Sequence, residues 1–162
     1  MNESLNPDWV NRMIEQDRHK SANVEAETLQ QVAASKTILA DSPMFWKQLL
    51  KELRFTVDSP GLKDGRVQAS ISEIGSPQSA GEVYRISVNS TSAIAKIAQT
   101  DLHYSPGCAA VRCLPLPGQP FDLRWCVDAE GKVALRGEDG RPMNAEQAAQ
   151  AIVQPLVDRV RP

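Results

Sequence analysis

The feature of this sequence that most constrains its fold is a change in hydrophobic periodicity at Arg66. Before Arg66, apolar residues recur at helical spacing; after it they alternate with polar ones, as in "RVQASISEI" and "EVYRISVN". The alternation is strongest in "FDLRWCVDAEGKVALRG", where an Asp-Ala-Glu-Gly turn separates two alternating runs. A strand of this kind has one apolar and one polar face, which is typical of an antiparallel sheet covered on one side. We therefore expect an antiparallel meander of about five to six strands. Ile94, Ile97 and Ala98 in "SAIAKIAQ" at 92–99 would also suit a short helix, but we assign this stretch to a strand because it lies between two strands.

The N-terminal part predicts three separate helices. Asn6-Pro7 is typical of an N-cap followed by a first helical residue, and Asp41-Ser42-Pro43 has the same character. A helical stretch between them, at 24–40, is supported mainly by good helix formers. The helix after Pro43 has the clearest apolar face, formed by Trp46, Leu49, Leu50 and Leu53.

A last helix is predicted after the meander. Asn144 and Gln147 have the spacing of a capping box, and Ala148, Ile152, Leu156 and Val160 lie on one face. Pro155 falls within this pattern and should kink the helix or end it near Gln154.

These elements predict an α+β fold in which N-terminal helices precede the β-meander and the C-terminal helix packs on one face of the sheet. The first helix exceeds what one sheet needs for cover. We therefore assign residues 1–22 to an N-terminal amphipathic helical arm and residues 23–162 to a single α+β domain. Removing residues 1–22 should leave a folded core.

Composition and charge exclude several classes of function. The 20 acidic and 18 basic residues are spread evenly, and no basic stripe suits a nucleic acid or an anionic membrane. The N-terminus lacks the pattern of a signal peptide, and no run is long enough to span a bilayer. Three cysteines without a framework spacing favour a reducing compartment. We expect a cytoplasmic protein with no nucleic acid or membrane as partner.

The stretch "HYSPGCAAVRC" at 103–113 is the richest in reactive residue types. A zinc site would need His103 together with all three cysteines, but no Cys-x-x-Cys spacing supports it, so we expect no metal and no cofactor. Ser-Pro-Gly at 105–107 predicts a β-turn between two strands. Strand alternation then sends Cys108 and Cys113 to opposite faces, and Cys113 is expected to pack as a small hydrophobe.

The polar face of the sheet is the remaining candidate for binding. If functional, it could receive an acidic peptide or a partner helix, because arginines form bidentate pairs with carboxylates. The candidate binding residues are Arg85, Arg124, Lys132, Arg136, Cys126 and His103.

The absence of a convergent catalytic constellation favours a non-enzymatic interaction or regulatory protein that binds another macromolecule, as a homodimer. No catalytic residue is assigned. The alternative is a small enzyme or ligand carrier with a pocket between the sheet and the helices. Its polar groups would be Cys126, His103, Tyr104 and Arg124, although we expect His103 not to meet Cys126.

Overall fold

A computed structural model describes residues 7–63, 65–75, 81–91 and 96–161. The chain forms an α+β fold: a long helix, a seven-stranded antiparallel sheet and a C-terminal helix that packs against the sheet. The helices are α1 (Asp8–Val57), α2 (Pro60–Lys63) and α3 (Ala145–Val160). The strands are β1 (Val67–Glu73), β2 (Glu82–Ser90), β3 (Ile97–Tyr104), β4 (Ala110–Leu116), β5 (Phe121–Val127), β6 (Val133–Arg136) and β7 (Pro142–Met143).

The prediction of three N-terminal helices is wrong, because α1 runs unbroken from Asp8 to Val57 with Pro43 inside it. Proline removes one hydrogen bond, the one its missing N–H would donate to the Leu39 carbonyl, and the flanking turns keep the rest of the ladder. Pro7 is not the first helical residue either. It precedes α1, and its carbonyl accepts hydrogen bonds from the Val10 and Asn11 amides. Asn6, the predicted cap, lies outside the described residues.

The meander has seven strands rather than five or six, and every neighbouring pair along the chain is antiparallel. β7 is a two-residue strand that the pattern does not predict. β3 begins at Ile97, so only the end of the predicted strand at 92–99 is confirmed, and residues 92–95 lie outside the described residues. The short helix α2 lies between α1 and β1.

The capping box predicted for the last helix is confirmed, and the helix extends beyond Gln154. The Asn144 side chain accepts a hydrogen bond from the Gln147 amide (2.8 Å), and the Gln147 side chain accepts one from the Asn144 amide (3.0 Å). The helix continues through Pro155 to Val160, so it does not end near Gln154. Buried residues on both sides of Pro155, such as Ile152 and Leu156, hold the two halves on the sheet.

The chain divides into two compact units, Met1–Lys36 and Thr37–Pro162. The hydrophobic core lies in the second unit, between one face of the sheet, the part of α1 that follows Thr37, and α3. Trp46 is central to it: its ring stacks on Tyr104 with 4.7 Å between ring centroids and meets Tyr84 edge-on at 6.0 Å. No helix among the described residues is long and apolar enough to cross a membrane.

Candidate functional site

Arg85 occupies the polar face of the sheet, as its strand alternation predicts, but its charge is already paired. Register places it opposite Asp101 on β3. Its guanidinium donates from Nε (2.8 Å) and Nη2 (3.1 Å) to the two carboxylate oxygens. This bidentate hydrogen bond raises the pKa of Arg85. An external carboxylate would have to displace Asp101, so Arg85 is a poor recognition group.

Arg124 and Arg136 face each other across β5 and β6, in direct register on the polar face. Both side chains are exposed, and their like charges repel each other in this position. Lys132 lies just before β6, in the turn that follows β5, where its ammonium is 3.8 Å from Glu130. The basic residues predicted on the polar face are thus split into separate groups.

Cys126 and His103 are not brought together. They lie on β5 and β3, with β4 between them, and the register offsets them by four residues along the strands. This places their backbones about 16 Å apart. Burial raises the pKa of the Cys126 thiol, nearby Arg136 lowers it and Asp128 raises it, so the net shift is away from a reactive thiolate.

His103 instead meets residues that strand alternation alone does not reveal. It lies opposite Arg112 on β4 and opposite Val83 on β2. These residues line an open cavity of about 410 Å³ at one end of β2, β3 and β4. Its lining also includes Gly81, Glu82, Tyr104, Ser105, Cys108 and Ala110.

The stretch 103–113 therefore contributes to a cavity, and it does so together with residues of β2 and not with Cys126 and Arg124 of β5. Glu82 anchors the cavity wall because its carboxylate accepts a 2.6 Å hydrogen bond from Trp46 Nε1. Cys126 and Arg124 of the predicted pocket do not line it. Pairing between β2, β3 and β4 decides this grouping, and a pattern in one strand carries no signal of it.

The turn at 105–107 is confirmed: the Cys108 amide donates to the Ser105 carbonyl (3.0 Å), and Gly107 has a φ of 81°. The prediction that Cys108 and Cys113 point to opposite faces is wrong. Cys108 precedes β4, so alternation does not apply to it, and it packs against the core that also contains Cys113. Burial raises the pKa of Cys113 to about 12, which makes it an inert core residue. Within the described residues no three His, Cys, Asp or Glu side chains are grouped as metal ligands would be.

The first part of α1, residues 8–36, has a different character from the sheet. Of the described residues 7–36, none is buried. Val24 is 60% exposed and Leu29 is 71% exposed. Trp9, Met13, Ile14 and Val32 are exposed as well. A helical segment of this length that keeps so many large apolar side chains in water is typical of a surface that a partner covers.

Searches of protein-family models, of curated proteins and of solved structures found no match to this chain.

Proposed function

We propose that this protein is a non-enzymatic interaction protein whose binding surface is residues 8–36 of α1, and that it self-associates through this segment. The observation that carries the proposal is the exposed apolar surface of this segment. The Thr37–Pro162 unit, in contrast, contains a buried core of its own.

The apolar residues of the segment are arranged, not scattered. At 100° per residue, Val10, Met13, Ile14, Val24 and Val32 fall within a stripe about 100° wide. A stripe of this width is the usual apolar face of a helix that packs against one neighbour. Leu29 lies outside this stripe, about 60° beyond its edge, and serves as an internal control.

The test uses the full chain. Val10→Gln, Ile14→Gln and Val24→Gln together remove apolar surface from the stripe with residues that favour helix. We expect the wild-type protein to have twice the mass of the chain by light scattering and native mass spectrometry, and the triple variant to be monomeric. Leu29→Gln should leave the dimer unchanged. A monomeric wild-type protein, or a dimer that the triple variant retains, would reject self-association through this stripe.

A second candidate function is favoured by the cavity beside His103. The cavity is lined by His103 and Arg112, which are paired across β3 and β4, and its volume of about 410 Å³ is enough for a small polar ligand. In this case the protein would be a ligand carrier or a small enzyme.

Native mass spectrometry distinguishes this second candidate. A co-purified small molecule should be retained by wild-type protein and lost in Ala110→Trp, which fills the cavity. Ala109→Trp is the matched control, because Ala109 is exposed and does not line the cavity. Absence of any added mass in wild-type protein would count against the carrier function.

A further inference from the structure

The segment Asp8–Lys36 has a charge pattern that matches itself in one orientation. Arg18 and Glu25 lie seven residues apart on one flank of the apolar stripe, and Lys20 and Glu27 lie seven residues apart on the other. On both flanks the base precedes the acid. Two helices that run in opposite directions therefore place a base beside an acid on each flank.

These acids have no partner within their own helix. A pair on a helix surface needs a base three or four residues away, and neither Glu25 nor Glu27 has one. Across the described ranges, no ion pair within 4.0 Å involves either of them. Both carboxylates are thus free for a second chain.

Three apolar residues of the stripe, Val10, Ile14 and Val24, fit the same arrangement. In alternating steps of four and three they belong to a seam that also contains five polar residues, Asp17, Ser21, Thr28, Gln31 and Ser35. In an antiparallel pair centred between Ala22 and Asn23, each seam residue meets another seam residue. Val10 then lies opposite Ser35, and Ser21 lies opposite Val24.

We infer that the partner of this segment is a second copy of the chain, paired antiparallel in the register that brings Arg18 to Glu25 and Lys20 to Glu27 of that copy. The inference rests on the proposed self-association and specifies its geometry. Asp17 decides the orientation: it lies opposite Thr28 in the antiparallel pair, whereas a parallel pair would place it against Asp17 of the second copy. A parallel pair would also form two ion pairs, between Lys20 and Glu25, instead of four.

Each exposed ion pair adds little affinity, so the four pairs mainly select register and orientation, while burial of Val10, Ile14 and Val24 against the second helix supplies the apolar contact. The first experiment is therefore a charge exchange in the full chain. Glu25→Lys with Glu27→Lys makes all four positions basic, and Arg18→Glu with Lys20→Glu makes all four acidic. Each double variant alone should dimerise at least about tenfold more weakly at low salt, and an equimolar mixture should form the heterodimer. Unchanged homodimers in both variants would overturn the inference.

The second experiment tests orientation with two serines of the seam, in a chain whose Cys108 and Cys126 are replaced by serine. In the antiparallel pair, Ser21 lies about 4.5 Å along the axis from Ser21 of the second copy, whereas Ser35 lies about 38 Å from its equivalent. Oxidation should therefore cross-link Ser21→Cys and leave Ser35→Cys as single chains. Cross-linking of Ser35→Cys would overturn the antiparallel register while self-association stands. A monomer in the wild-type protein would reject both.

Discussion

Two buried hydroxyl groups in this core differ in whether they form a hydrogen bond. Thr100 and Ser90 are 2% and 4% exposed. The Ser90 hydroxyl accepts a hydrogen bond from the Lys96 amide (3.2 Å), whereas the Thr100 Oγ1 has no hydrogen-bond partner among the described residues. A buried hydroxyl without a partner loses its hydration without compensation.

Thr100→Val should therefore stabilise the protein by about 1 kcal/mol, because a methyl of similar size replaces an unpartnered hydroxyl. Ser90→Ala should destabilise it by about 1 kcal/mol, because it leaves the Lys96 amide without its acceptor. Urea denaturation followed by circular dichroism measures both. A destabilised Thr100→Val would show that its hydroxyl does have a partner, such as a buried water.

Cys113 predicts a loss of stability at alkaline pH. Its pKa rises from 9.0 to about 12 on folding because burial disfavours the thiolate. Above pH 9 the unfolded chain releases this proton while the folded chain keeps it, so the free energy of unfolding falls as pH rises. Between pH 9 and 10.5 this contribution is about 2 kcal/mol.

Cys113→Ala lacks the thiol and should lose correspondingly less stability over the same interval. Denaturation at pH 9 and pH 10.5 gives the change in the free energy of unfolding of each protein, and these two changes are compared. Parallel losses in the variant and the wild-type protein would contradict the assigned cause.

At the scale of elements, both long helices contain a proline that a helix interior does not favour. Pro155 is exposed within α3, where it removes one backbone hydrogen bond. Pro155→Ala restores that bond and should stabilise the protein by about 1 to 3 kcal/mol in urea denaturation. The exposed neighbour Gln154→Ala should change stability by less than about 0.5 kcal/mol. A destabilised Pro155→Ala would mean that the packing of α3 on the sheet requires the proline.

The cap of α3 offers a complementary test. Asn144→Ala removes the acceptor for the Gln147 amide and should cost about 1 kcal/mol. Asn144→Asp keeps the acceptor and adds a favourable charge at the helix N-terminus, so it should retain full stability near neutral pH. Thermal unfolding of the three proteins measures the difference, and equal melting temperatures would exclude an energetic role for the cap.

At the scale of the whole molecule, the division at Lys36 predicts an independently stable unit. All residues of the hydrophobic core lie in Thr37–Pro162, so a chain that begins at Thr37 should keep native β-sheet circular dichroism and a cooperative unfolding transition. Removing only residues 1–22, the predicted arm, should do the same. A chain from Thr37 that is unfolded would show that the first part of α1 stabilises the sheet unit.

Most of the fold follows from local pattern. The alternation of Tyr84, Ile86 and Val88, the helical stripe around Trp46 and the Asn144 cap are each set by neighbours a few residues away. They can therefore be predicted from the sequence, and the structure confirms them. The predicted number of helices is wrong because this prediction also depends on local pattern. A proline that follows a capping residue occurs both at helix starts and inside helices, and the neighbouring residues do not distinguish the two cases.

The sequence by itself determined the antiparallel meander, the buried face of its most regular strands and the apolar faces around Trp46 and Ile152 that cover it, because these depend on periodicity within single elements. Only the tertiary structure decided that Asp101 neutralises Arg85, and that His103 shares a cavity with Arg112 and Glu82 rather than with Cys126. Such groupings depend on the register between strands, where a shift of two residues keeps every burial pattern and changes every neighbour.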